Sequence, residues 1–331
     1  MSKPWKLLTK PVLPFSSMVC ALALALSWAI PAATLAQSAK DLPRESDADM
    51  LRRVKPGVKG LDDRLTVDAS SWPWSSVGRV NRSDGAFCTG TLIGPHQVLT
   101  AGHCLWNKKT LNWYPATGLK FAAGYQRGEW IAFSPVTSVT VSPGYRPKPP
   151  SHKGDPSQDW ALLDLKDPLG DIVGYFGTLS DAPRSVTISQ VGYSFDRRHV
   201  QTANVGCHIL GRQSNGILMH DCDTVNGDSG SPIVHWTDEG PRVIAVHVAT
   251  ARTKSGNSLG MSVPIGTVMP ENRRPFSGGR QVDQSLAALL VGKLGYTSPD
   301  AVRQAMGTTG SGPYDRKEFS RLLSGMVPPA P

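Results

Sequence analysis

The sequence contains no Cys-x-x-Cys pair and no His-Glu-x-x-His element. The commonest ligand spacings of a zinc site are therefore absent, and no metal or organic cofactor is expected. Charge is sparse, at 18% of 331 residues, and although 35 basic side chains outnumber 26 acidic ones they form no stripe. Arg52-Arg53, Arg197-Arg198 and Arg273-Arg274 are isolated pairs. A nucleic-acid surface needs clustered cations, so the net charge of +9 reads as a soluble basic surface with no nucleic-acid partner. Long apolar runs are missing after residue 36, which excludes stable membrane insertion of the mature chain.

What is present begins at the N-terminus. Met1 to Lys10 carries three lysines and no acid, an apolar run follows through Val19–Leu26, and small residues lead to Ala36. That is the layout of a signal peptide spanning 1–36, and it implies a secreted or periplasmic protein. Cys20 lies in the apolar run without a lipobox. Its removal leaves Cys88, Cys104, Cys207 and Cys222, an even count that in an exported chain reads as two disulfides with three connectivities open. Residues 37–60 are polar, charged and free of strand pattern, and read as a pro-segment or disordered leader.

From 61 to about 270 short β-like runs alternate with Gly, Pro, Asn and Asp, in keeping with 33 glycines and 27 prolines overall. The clearest are Phe87–Ile93, Gln97–Thr100, Val136–Ser142, Trp160–Leu165, Val186–Tyr193, Ile217–Asp221, Pro232–Trp236, Val243–Ala249 and Met261–Pro264. The spacing predicts an all-β fold of barrels or sandwiches rather than βαβ units. Past 270 the pattern changes to helical spacing: Leu286, Leu289, Leu290 and Leu294; then Val302, Ala305 and Met306; then Phe319, Leu322, Leu323 and Met326. Residues 271–331 therefore read as a helical C-terminal appendage, with weak contact to a cell envelope as its sharper alternative role.

Three segments carry chemistry: Thr100-Ala101-Gly102-His103-Cys104, Gln158-Asp159-Trp160-Ala161, and Asn226-Gly227-Asp228-Ser229-Gly230-Ser231-Pro232. A hydroxyl is a poor nucleophile near neutral pH. It needs a base in reach, an acid that holds the base in one tautomer, and backbone donors for the oxyanion. His103, Asp159 and Ser229 are the candidates for these roles, with Gly227 and Ser229 supplying the N–H groups. Asp155 and Asp164 lie close by, but Asp159 stands directly before an apolar strand, where it can be buried beside the base. The order His, Asp, Ser is that of the chymotrypsin type and not of the other triad folds.

With these pieces in place, the stretch from Asp62 to Ile265 resembles the bacterial trypsin-like serine peptidases, particularly the glutamyl endopeptidase branch. Cys88-Thr89-Gly90-Thr91-Leu92-Ile93, Leu99–Cys104, Asp159–Leu163 and Asp221-Cys222-Asp223-Thr224 leading into Gly227–Pro232 carry the likeness. The resemblance implies two six-stranded antiparallel β-barrels, with His103 and Asp159 from the first and Ser229 from the second. It also implies a Cys88–Cys104 disulfide; the second expected pair is Cys207 with Cys222, and each bridge closes a short loop. The implied activity is hydrolysis of protein or peptide substrates through an acyl-enzyme. The other reading is a non-catalytic binding protein on the same scaffold, against which the intact set of motifs argues.

Two departures stand out. The chain lacks the Ile-Val-Gly-Gly run of animal zymogens, so Asp228 has no ammonium partner of the usual kind. Val248 stands where trypsin has a serine supporting the buried aspartate. On specificity the resemblance leaves two options. Asp223 holds the place of the acid with which a trypsin binds Arg or Lys, while Thr224 and His247 match the threonine and histidine with which glutamyl endopeptidases bind glutamate. Glutamate is favoured, because His247 would crowd and repel a cation and, if positive, would strengthen its bond to a carboxylate. The remaining histidines, His220 among them, read as packed or surface residues.

Overall fold

The structure is a computed structural model that describes residues 57–59 and 62–278, apart from 149–150, 152, 184–185, 238–239 and 253–257. The expected signal peptide, the expected leader as far as 56 and the segments read as three C-terminal helices lie outside the described residues. No helix among the described residues is long and apolar enough to cross a membrane.

A short strand β1 (Leu65–Thr66) precedes the first barrel. That barrel is built from β2 (Val77–Arg82), β3 (Phe87–Leu92) and β4 (Gln97–Thr100). After a small hairpin of β5 (Trp106–Asn107) and β6 (Asn112–Trp113), it is completed by β7 (Leu119–Ala123), β8 (Ala132–Val141) and β9 (Ala161–Leu165). The strands close in the order β2-β3-β4-β9-β8-β7. The second half holds β10 (Gly177–Thr178), β11 (Thr187–Gly192), β12 (Thr202–Arg212), β13 (Leu218–His220), β14 (Pro232–Thr237), β15 (Gly240–Arg252) and β16 (Ser258–Pro264). Here the ring β12-β11-β14-β15-β16-β13 closes through pairing of β12 with β13, while β1 and β10 add to β12 and β15. The chain therefore forms two six-stranded antiparallel barrels.

Alternation decides which face of each strand turns inward. Along β8 the even positions Ala132, Ser134 and Val136 are buried, and Phe133, Pro135 and Thr137 are exposed. Leu92, Val98, Leu99, Phe121 and Leu163 fill the first barrel with no exposed surface, and each such side chain stabilises the fold by about 1.5–3 kcal/mol on transfer grounds. The runs singled out in the sequence fall on nine strands. β2, β7 and β12 were not among them. In β12, Thr202 and Asn204 are buried polar residues and Gly206 sits at φ 84, so the hydrophobic alternation is broken. The register shifts of its pairings with β11 and β13 break it further.

Both disulfides are formed, Cys88–Cys104 and Cys207–Cys222. Residues 57–59 of the expected leader are docked rather than loose. Thr224 N–H donates to Gly57 O (3.0 Å), and Lys59 N–H donates to Asp223 Oδ1 (2.7 Å). The described chain also continues past 270, where Arg273 and Phe276 bridge to Thr178 and Tyr175.

Candidate active site

Each candidate side chain arrives by a separate local device. β4 ends at Thr100, and the chain turns at once into a 3-10 turn, Gly102–Leu105, that carries His103. Thr100 Oγ1 donates to Thr89 O (2.8 Å), and the disulfide from Cys104 to Cys88 ties the same turn to β3. Asp159 ends a second 3-10 turn, Pro156–Gln158, just before β9. Asp155 caps that turn by accepting from Ser157 N–H (2.9 Å), and Asp164 faces Ser138 on the neighbouring strand. The three acids that stand close in sequence thus do three different things.

Ser229 lies in a loop that only glycine can form. Gly227 has φ 101 and Gly230 has φ 86. A Cβ would come within 2.5 Å of Tyr193 O at the first and 2.1 Å of Thr89 O at the second. Left-handed backbone and close approach both demand the missing side chain.

The structure brings His103, Asp159 and Ser229 into one line. Ser229 Oγ is 2.9 Å from His103 Nε2, and His103 Nδ1 is 2.7 Å from Asp159 Oδ2. The backbone N–H of His103 donates to Asp159 Oδ1 (2.7 Å), so both oxygens of this buried carboxylate have a donor although Val248 offers no hydroxyl. Asn226 O accepts from Phe195 N–H (2.6 Å). A trans peptide points its carbonyl and N–H in opposite directions, so the N–H of Gly227 faces away from Phe195. Among the described residues neither Gly227 N–H nor Ser229 N–H has an acceptor, and two such uncommitted donors are what an oxyanion needs.

A cleft of about 470 Å³ runs from these residues to Thr224, His247, Thr250 and Ser258. His247 sits at a bulge, where the register of β15 against β16 shifts between His247 and Ala249, and bulges re-aim side chains. Its Nδ1 lies 3.2 Å from Nε2 of the fully buried His220. His220 is packed, as the sequence reading has it, but its role behind His247 had no sequence signal: the two are 27 residues apart on different strands. Thr224 Oγ1 is 2.7 Å from Thr250 Oγ1. Asp223 is not part of the cleft wall; its carboxylate accepts from the backbone N–H groups of Lys59 (2.7 Å) and Asp63 (3.4 Å).

Burial pushes the pKa of His247 down to about 3, with the charges of Lys59 and His103 adding to it. His220 is driven well below the ordinary imidazole range, first by burial and then by His247 and Lys59. Both are neutral in the folded protein at neutral pH, so the positive imidazole considered from sequence is not the resting state. As pH falls below 6.5 the unfolded chain takes up protons that these folded histidines refuse, and stability falls. Asp228, pushed up to about 6 chiefly by burial, works in the opposite sense between its unfolded value and 6. We therefore expect His247→Gln to lose less stability than the wild type between about pH 6.5 and 4.5, by about 2 kcal/mol. Urea midpoints at the two pH values check this; an unchanged pH dependence would contradict a buried neutral His247.

The compact group of potential metal donors found among the described residues is Cys88, His103 and Cys104. Both sulfurs are in the disulfide, and a disulfide sulfur is not a thiolate ligand, so this group does not fit a metal site.

Two six-stranded barrels that contribute a histidine and an aspartate from one side and a serine from the other define a chymotrypsin-like fold. The trypsin family model matches residues 64–270, well over half the chain, and the chain belongs to that family. It is 30% identical over 203 residues to a glutamyl endopeptidase of Bacillus licheniformis, covering 57% of this chain and 60% of that protein. It is 26% identical over 218 residues to an extracellular metalloprotease of Bacillus subtilis, covering 63% and 66%. The chain thus spans less than two thirds of the length of either relative. Among solved structures, a Glu endopeptidase in complex with MPD shares the fold at a TM-score of 0.53 and 24% identity, covering 64% of this chain and 97% of that one.

Proposed function

We propose that the chain is an exported serine endopeptidase that cleaves protein or peptide substrates after glutamate. The observation that carries this reading is the hydrogen-bonded line from Ser229 Oγ through His103 to Asp159. In the proposed reaction His103 Nε2 takes the proton of Ser229 Oγ as that oxygen attacks the scissile carbonyl. Asp159 stabilises the imidazolium, and the N–H groups of Gly227 and Ser229 receive the oxyanion. Collapse expels the amine, which leaves with the proton from His103. Water then enters by the same base, and the acyl group departs as an acid, restoring Ser229.

Three features support glutamate before the scissile bond. His247 lines the cleft with one ring nitrogen turned to His220; if His220 donates to Nδ1, the remaining His247 proton sits on Nε2, and a neutral imidazole so arranged donates one N–H to a carboxylate. Lys108, Lys153 and Arg252 line the same cleft, whose one carboxylate among the described residues is Asp159. Asp223, the residue that would suit a basic side chain, is bonded to backbone outside it. Export is supported by the two disulfides, which persist in oxidising compartments, and by the extracellular relative. Incubating the secreted protein with a peptide library randomised around one bond tests the reading. The expected products end in glutamate; products ending in Arg or Lys would move the role to Asp223, and no cleavage together with no labelling of Ser229 by an organophosphonate would reject the enzyme.

A further inference from the structure

Asp228, directly before Ser229, is buried, and its charge needs a counterpart that the sequence does not show. Ser194 Oγ lies 2.8 Å from each of its carboxylate oxygens, and Val225 N–H donates to Oδ2 (2.8 Å). Ser194 Oγ in turn lies 2.9 Å from Nη1 of Arg64, a guanidinium that is itself only 5% exposed. An arginine can only donate, so the single proton of the Ser194 hydroxyl is left for Asp228 and the chain has one direction, Arg64 to Ser194 to Asp228. Burial works against the charge on Arg64, but its hydrogen bonds to Asp62 (2.7 Å) and Asp196 (2.8 Å) outweigh it and keep the group cationic. The next residue, Phe195, holds Asn226 O through its N–H. One corner of the fold, residues 194–196, therefore grips the serine loop on both sides of Gly227.

We infer that Arg64 is a positioning residue for the oxyanion donors: through Ser194 it anchors Asp228 and so keeps the N–H groups of Gly227 and Ser229 aimed at the substrate carbonyl. This rests on the peptidase reading and extends it, because it gives the buried Asp228 a charge partner from the segment before the first barrel. Arg197 locks that segment in place, donating to Arg64 O (2.7 Å) and to Asp62 (2.9 Å). Without the relay, a carboxylate buried beside the nucleophile has one backbone donor left. The loop can then relax, and the donors on either side of Asp228 lose their aim.

The test uses Ser194→Ala, Arg64→Met, Arg64→Lys and the double variant Arg64→Met with Ser194→Ala, in the full chain. Losing oxyanion donors costs about 10²-fold in kcat, so kcat for a peptide amide should fall by about that factor in Ser194→Ala and Arg64→Met, with KM within about threefold of wild type. Arg64→Lys should recover part of the loss, and the double variant should be no worse than the poorer single. Ser194→Ala removes one hydroxyl and carries the test alone if Arg64→Met does not fold. Folded single variants with wild-type kcat, or losses that multiply in the double, would overturn the relay while leaving the peptidase reading intact. A wild type without turnover or organophosphonate labelling would instead remove that reading and the relay with it.

Discussion

Ser229→Ala and His103→Ala are each expected to lower kcat by about four to six orders of magnitude, and the double variant to be hardly worse than either. The reason is that in the proposed reaction the two act as one device. Without the base, Ser229 Oγ keeps its proton and is a weak nucleophile; without the hydroxyl, the base has nothing to activate. The 2.9 Å contact between Nε2 and Oγ makes that coupling direct. Asp159→Asn should also be severe. An amide in place of Oδ2 presents either a donor to His103 Nδ1, forcing the proton to Nε2 and removing the base, or an oxygen without the charge that stabilises the imidazolium. Stability should change little in Ser229→Ala, so circular dichroism and thermal midpoints separate a lost reaction from a lost fold. Near-normal turnover in either single variant, or losses that multiply, would reject the assignment.

The second large effect concerns His247. A site that hydrogen-bonds a substrate group discriminates strongly against analogues lacking it, because its own buried polar groups are then left unpaired. His247→Ala should therefore reduce the ratio of kcat/KM for a glutamate substrate over its norvaline analogue, which has no side-chain acceptor, by about 10²-fold or more, with attack on poor substrates nearly unchanged. Asp223→Ala should leave that ratio alone, since its carboxylate holds the backbone at Lys59 and Asp63 rather than the cleft. Measuring kcat/KM for the Glu, norvaline and Arg peptides in wild type and both variants decides between the pockets. Arg cleavage abolished by Asp223→Ala would return His247 to a structural role.

The two options for specificity show where sequence reasoning stops. Asp223 and Thr224 are neighbours in the loop that follows β13, and spacing alone does not say which one faces the cleft. The docked residues 57–59 decide it, since Lys59 N–H captures Asp223 Oδ1 while Thr224 stays in the cleft wall. His220 was invisible for a related reason. Its importance comes from a contact across the second barrel, between β13 and β15, that no local pattern records.

The sequence by itself determined nine of the strands, the glycine loop around Ser229 and the order of the three candidate catalytic residues. These are local matters: period-two alternation, backbone that only glycine can adopt, and short motifs that specify their own turns. Closing the two rings, and with them bringing His103 and Asp159 to Ser229 across 126 and 70 positions of sequence, belongs to the tertiary structure. So do the partners of the buried charges. Asp159 is completed by the N–H of His103, and Asp228 by Ser194 and Arg64. Buried charges must find donors wherever the packed chain supplies them, and that supply is set by which distant segments come to lie side by side.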